Sequence, residues 1–179
     1  MTPMRFCPTC GCGSCRPFEP LGMTGFSAQR PPSQANSSFQ LGNWVINDSF
    51  YSGQGFDPVT GTYTVPEDGR YSIKAIVSYR STVTLTVSIG SGVNPAFQIR
   101  KIGEPTPLIS SLLPVIDVSA LLLTLRAILG SATVVLVGDV ELKKGEQIGL
   151  FYETSGLNIL LDIGGVDTPG TVWSVHRIA

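Results

Sequence analysis

Apolar and polar residues alternate strictly across residues 83–89. Val83, Leu85, Val87 and Ile89 fall on one side, and Thr84, Thr86 and Ser88 on the other. Successive side chains of a strand point to opposite faces, so this period of two predicts a half-buried strand. Residues 70–77 repeat the pattern, with Tyr71, Ile73, Ala75 and Val77 on one face and Ser72 and Lys74 opposite. A β-branched and apolar run over 132–137 and the shorter runs 148–152 and 158–163 are further strands. The last strand is 171–178, with Trp173 and Val175 on one face and Ser174 and His176 on the other. Turn pairs punctuate the runs: Asp57-Pro58, Thr60-Gly61, Asp68-Gly69, Lys144-Gly145, Ser155-Gly156, Gly164-Gly165 and Pro169-Gly170. Many short strands at such spacing point to an all-β sandwich or jelly roll. One segment competes with this reading. In 119–129, Leu121, Leu122, Leu125, Ile128 and Leu129 also fit helical spacing. Pro114 and Gly130 limit any helix, and the neighbouring strands favour a strand.

The texture changes at about residue 38. Residues 1–38 are rich in Pro, Gly, Cys and Ser, and no hydrophobic period runs through them. Proline fixes φ and removes a donor, so an extended or turning arm is expected over 1–38 and one domain over 39–179. Fully extended, the arm reaches about 100 Å at roughly 3.1 Å per residue.

The chain has 179 residues and a mass of 19.0 kDa, enough for one self-sufficient core. Only 14% of residues are charged, against roughly 25% in ordinary soluble domains. Hydrophobic residues make up 42%, which predicts a large buried surface, part of it shared between subunits. A net charge of −1 offers no basic excess, which argues against a nucleic-acid partner. The first residues have no apolar core of a signal peptide, so synthesis without one is expected. The most apolar stretch, 107–138, is interrupted by Pro114, Asp117 and Arg126, which argues against a membrane span.

Candidate chemistry is sparse. The single histidine, His176, excludes sites that need two or three. There is no paired-carboxylate or Cys-His motif, and the reading is that the chain is not an enzyme. Glu141, Glu146, Asp48 and Asp57 read as solvated residues near turns. Calcium takes six to eight oxygens, and Asp162 and Asp167 flank a Gly164-Gly165 turn, so no metal or other cofactor is expected. All four cysteines, Cys7, Cys10, Cys12 and Cys15, lie within nine residues. Two CxxC knuckles could hold zinc, but only Gly11 separates them. Disulfides, within or between chains, are the leading reading. An iron–sulfur or redox role and idle thiols remain open.

Residues 56–71 carry a more specific pattern. Phe56-Asp57, a short turn, Gly61, Tyr63, Pro66, Gly69 and Tyr71 resemble the hallmark of C1q/tumour-necrosis-factor-like domains. Residues 140–150, VELKKGEQIGL, are similar to the family's late hairpin, and TVWSVHRIA to its last strand. The resemblance covers about residues 39–179. It implies an all-β C1q/TNF-like jelly-roll sandwich that packs as a homotrimer, with Tyr71, Phe151 and Trp173 as candidates for the trimer interface. In texture the chain is most similar to the domain that ends bacterial spore-surface (exosporium) glycoproteins, including the short tail Arg177-Ile178-Ala179. Those proteins carry a Gly-X-Y collagen stalk, and residues 16–38 have no glycine at every third position.

The expectation drawn from these features is a structural, self-assembling subunit of a bacterial surface fibre or spore appendage. Trimeric heads would be linked head-to-tail through the arm and locked by its cysteines. Phe6, Phe18, Leu21, Met23 and Phe26 are the apolar arm residues that would dock on a neighbouring trimer. A spore coat, assembled from the mother-cell cytoplasm and cross-linked later, reconciles disulfides with the absent signal peptide. The alternative is a trimeric receptor- or glycan-binding head tethered by the arm.

Overall fold

The computed structural model describes residues 24–82, 89–120, 123–165 and 170–179. Its first strands are β1 (Gly25–Arg30), β2 (Ser33–Ala35), β3 (Phe39–Gln40), β4 (Tyr51–Ser52), β5 (Phe56–Asp57) and β6 (Thr62–Thr64). Next come β7 (Gly69–Ser81), β8 (Ala96–Lys101), β9 (Pro107–Leu112), β10 (Val115–Ala120) and β11 (Leu123–Ile128). The chain ends with β12 (Ser131–Leu142), β13 (Gln147–Glu153), β14 (Leu161–Ile163) and β15 (Thr171–Arg177). No helix occurs among the described residues, and so none is long and apolar enough to cross a membrane.

Two antiparallel sheets form a sandwich. The first runs β2-β14-β7-β15-β1-β4, with β12 on the other side of β7. The second runs β5-β6-β13-β8-β9, with β3 also paired to β13. The inward positions of the long strands are apolar. Tyr71, Ile73, Ala75, Val77 and Tyr79 of β7 meet Ile148, Leu150 and Tyr152 of β13 in one core. An aromatic knot closes one end. Phe26 stacks on Phe56 at 3.6 Å between ring centroids, and both meet the Trp173 indole edge-on, at 4.8 and 5.8 Å.

The Phe56–Gly61 motif has a physical basis. Asp57 accepts hydrogen bonds from Val59 N at 2.9 Å and the Thr60 hydroxyl at 2.8 Å, which folds the turn on its own side chain. The Thr60 bond, then the Val59 amide, hold the Asp57 carboxyl below its ordinary value. Gly61 has φ +70°, and a β-carbon there would strike Leu41 O and come within 2.7 Å of Trp44 Nε1. Gly61 is therefore the glycine the turn requires. Gly69, expected to serve a turn of the same kind, has ordinary φ and opens β7 where the chain end crowds it.

Several expectations are revised. Residues 25–40 do not stand apart as an arm. β1 pairs with β15 along its whole length and places Phe26 and Ala28 in the core, so the boundary drawn at residue 38 falls inside the sandwich. Few apolar residues and two prolines, Pro31 and Pro32, hide these strands in the sequence. The motif read as a late hairpin is a crossing instead. β12 pairs with β7 in the first sheet, whereas β13 pairs with β3, β6 and β8 in the second. The turn at 143–146, with Gly145 at φ +85°, carries the chain between sheets. The run 158–163 is strand only at β14, because a turn with positive φ at Ser155 and Gly156 precedes it. The strand reading of 119–129 holds at β11 and at the end of β10, which pair as a separate hairpin. The strand expected at 83–89 lies outside the described residues, apart from Ile89.

Candidate functional site

The outward face of the first sheet is the candidate site. Registers place its side chains in rows across β12, β7, β15 and β1. One row reads Val135, Ile76, Val172 and Gln29; the next reads Val137, Lys74, Ser174 and Ser27. A third reads Asp139, Ser72, His176 and Gly25. Ile76 is 47% exposed, Val135 53% and Val137 61%, whereas their neighbours Val134 and Leu136 are buried in the core. β12 therefore has apolar residues on both faces, but only one face is covered. A strand that is apolar at both parities is the pattern of one buried on both sides. That signal was present in Thr-Val-Val-Leu-Val at 133–137.

Charge on this face is segregated by strand. β7 carries Arg70 and Lys74 outward, and β12 carries Asp139 and Glu141. None of these four belongs to an ion pair among the described residues. Toward the other edge, the Tyr51 hydroxyl and His176 Nδ1 are hydrogen-bonded. Tyr51 sits opposite Ser27 and reaches diagonally past Gly25, which places no side chain in the way. The two rings lie 5.7 Å apart. Partial burial, and then the charge of Lys74, hold the His176 imidazole below its ordinary value. Burial pushes the Tyr51 phenol up.

The outward face of the second sheet is built differently. Phe151 lies there, beneath the Arg100 guanidinium, 4.0 Å from the ring centroid. Arg100 also reaches Glu153 at 3.7 Å, and Lys101 Nζ donates to Glu146 at 2.7 Å. The Gln40 and Phe151 side chains close over Gly149, and Gln40, Arg100, Ile102, Glu104, Pro105 and Phe151 line an open cleft of about 360 Å³.

The residues expected at a trimer interface fall elsewhere. Tyr71 and Trp173 are wholly buried in the monomer's own core, so neither is free to touch another subunit. The Tyr71 hydroxyl donates to Glu67 O at 2.8 Å. Phe151 is 9% exposed and faces outward on the second sheet. Phe26, read as an arm anchor, is core as well. Cys7, Cys10, Cys12, Cys15, Phe6, Phe18, Leu21 and Met23 lie outside the described residues. Asp162 is committed to Gln34 at 2.9 Å and Arg80 at 2.9 Å, and Asp167 lies outside the described residues. Among the described residues no three His, Cys, Asp or Glu are grouped to hold a metal ion. Sequence reading missed Ile76, Val135, Val137 and Val172, because period-two patterns do not say which apolar face a partner covers.

This sandwich is a C1q-like jelly roll. The structure of the globular domain of zebrafish complement 1qA protein superposes with a TM-score of 0.51 at 16% identity, covering 87% of this chain and 98% of that one. No family model matches the chain. No curated protein matches it either.

Proposed function

We infer that the chain is a structural, self-assembling subunit whose jelly-roll head forms a homotrimer. The carrying observation is the exposed pair Val135 and Ile76, in a row with the half-buried Val172 and with the exposed Val137 beside it, on an otherwise well-packed fold. A second copy is the occupant that suits it. The free acids on β12 and the free bases on β7 complement each other when the β12 edge of one copy meets the centre of the next sheet. Such a contact is heterologous, and three copies close it into a ring.

The reading extends to assembly. Trimers are linked head-to-tail by the residues before Thr24, with Cys7, Cys10, Cys12 and Cys15 as disulfide locks, in a bacterial surface fibre or spore appendage. Support comes from the Pro-rich, Cys-dense composition of that segment and from the texture shared with spore-surface proteins. Neither enzymatic activity nor a nucleic-acid or membrane partner enters this reading. Sedimentation velocity at pH 8 on the chain without residues 1–15, which lacks the links between heads, should give a trimer. Negative-stain microscopy of the full chain should give fibres that vanish when residues 1–15 are removed. A monomer in sedimentation would defeat the head reading, and discrete trimers in both microscopy samples would defeat the fibre. The second outcome favours a tethered binding head, for which the cleft at Arg100 and Phe151 is the place to look.

A further inference from the structure

We propose that an apolar strip running from β9 onto the β10–β11 hairpin is the socket for residues 16–23 of a neighbouring copy; this rests on the fibre reading above. From Leu112 onward every second residue, Leu112, Pro114, Ile116 and Val118, continues the outward face of the second sheet onto the hairpin. Leu112 stands beside Ala96, in one row with Glu153. Leu129 N donates to Pro114 O, which sets Leu129 across from Pro114, and the hairpin register sets Leu125 across from Val118. Ile116 and its partner Ala127 sit lower, but Leu112 is 59% exposed, Val118 41% and Leu129 38%.

The opposite face of the hairpin is taken by its own head. Val115 and Ile128 root it in the core. Farther out, Arg126 lies across from Asp117 and donates to Gly90 O at 2.6 Å, Val93 O at 2.7 Å and Asn94 Oδ1 at 2.8 Å. These bonds tie the 90–94 loop to that face. Ile89 N meets Arg126 O at the edge of β11 and covers neither face. Among the described residues β10 and β11 pair with no other strand. One face is thus fastened down, and the other is left apolar and open.

Position selects the occupant. The described chain starts at Thr24, whose carbonyl accepts from Arg177 N beside the first residues of β7. The strip lies past the other end of β7, where Ser81 N donates to Gly130 O. The length of β7, Gly69–Ser81, separates these two poles by about 40 Å. Phe18 lies close before Thr24 in sequence and reaches at most about 20 Å from it. A copy therefore cannot fill its own socket with these residues, whereas a copy stacked with its Thr24 pole on the hairpin pole of the next can. Residues 16–23 read Arg-Pro-Phe-Glu-Pro-Leu-Gly-Met. Phe18 and Leu21 have the spacing that shares one side of an extended proline-rich segment. Such a segment spans about 25 Å, against about 20 Å from Leu112 to Val118. The contact is small beside a stable interface of about 1,600 Å². Docking sets the register and the cysteines beyond it make the link last, so removing residues 1–15 is enough to dissolve the fibres.

The test uses the full chain in fibres. Phe18→benzoylphenylalanine and, separately, Leu21→benzoylphenylalanine are prepared with and without an isotope label, purified reduced, mixed and then oxidised. After irradiation, mass spectrometry should find cross-links from residues 16–23 of one chain to 112–129 of a differently labelled one. Leu112→Lys and Val118→Lys each place an ammonium on the strip without touching the core. Each should raise the protein concentration at which fibres appear by about tenfold or more, with near-ultraviolet circular dichroism showing the heads still folded. Cross-links that avoid 112–129 or stay within one chain, or lysine variants that assemble at the wild-type concentration, overturn the socket and leave the fibre reading standing. Wild-type protein that forms no fibre overturns both.

Discussion

The two outward faces of the sandwich handle their exposed chemistry in opposite ways. On the second sheet Phe151 is roofed by Arg100, an open apolar side chain, Leu112, stands out on β9, and Arg100 and Lys101 have acidic partners in Glu153 and Glu146. On the first sheet, Ile76, Val135 and Val137 have no roof, and Arg70, Lys74, Asp139 and Glu141 have no ion pair among the described residues. Both sheets bury their inner faces equally well, so the difference is not one of poor folding. A face that supplies its own covers is finished as a monomer, whereas a face with β-branched rows and separated charges is finished by another molecule.

The comparison depends on a common core, and the largest effect comes from breaking that. Phe26 belongs to the segment first drawn as an arm, yet it stacks on Phe56 and meets Trp173. Phe26→Ala should lower unfolding stability by about 3–5 kcal/mol, since it leaves a cavity among rings that cannot collapse. Urea denaturation measures it. A loss below about 1 kcal/mol would show that β1 is not integral to the sandwich.

The next effect separates the faces directly. Ile76→Lys places an ammonium in the middle of the uncovered row. In the monomer it points to water, and stability should change by no more than about 0.5 kcal/mol. In a trimer it becomes an unpaired buried charge, and association should weaken by about 3 kcal/mol or more per interface. Sedimentation and urea denaturation on one preparation give both numbers. An Ile76→Lys trimer as tight as wild type would mean that this face is not the interface. The mirror experiment on the second sheet is Arg100→Ala. It uncovers Phe151 and removes a cation–π contact worth about 0.5–1 kcal/mol at an exposed site. It should cost stability on that scale and leave the oligomeric state unchanged.

What the sequence revealed divides along the same line. The long strands β7, β12, β13 and β15 were legible because their inner faces are apolar at every second position. The turn at Asp57–Gly61 was legible because one carboxylate and one glycine build it alone. β1, β2 and β3 were not, because they hold few apolar residues and owe their order to the strands beside them: β1 to β15, β2 to β14, β3 to β13. The assignment of Tyr71 and Trp173 to an interface failed for a related reason. Period two shows that a residue shares a face with Ile73 or Val175, but which face looks inward is fixed only when the second sheet is present. The β12 run at 133–137 carried the opposite information, apolar at both parities, and that is the feature on which the uncovered face rests.

The smallest effect tests the self-paired face by pH. Glu146 accepts from Lys101 Nζ at 2.7 Å and from Lys143 N at 2.9 Å. These bonds, the Lys101 one first, hold its carboxyl below the ordinary value. A carboxyl lowered by folding contributes stability that is present above its unfolded value and lost as pH falls through the folded one. The pair is largely solvated, so screening keeps its contribution small. Glu146→Gln should therefore melt slightly below wild type at pH 7 and at the same temperature at pH 3, and added salt should narrow the pH 7 gap. Its acid limb lies in the carboxylate range and moves only the monomer's melting. Sedimentation of Glu146→Gln should match wild type at both pH values, because the self-paired face is not the interface in this reading.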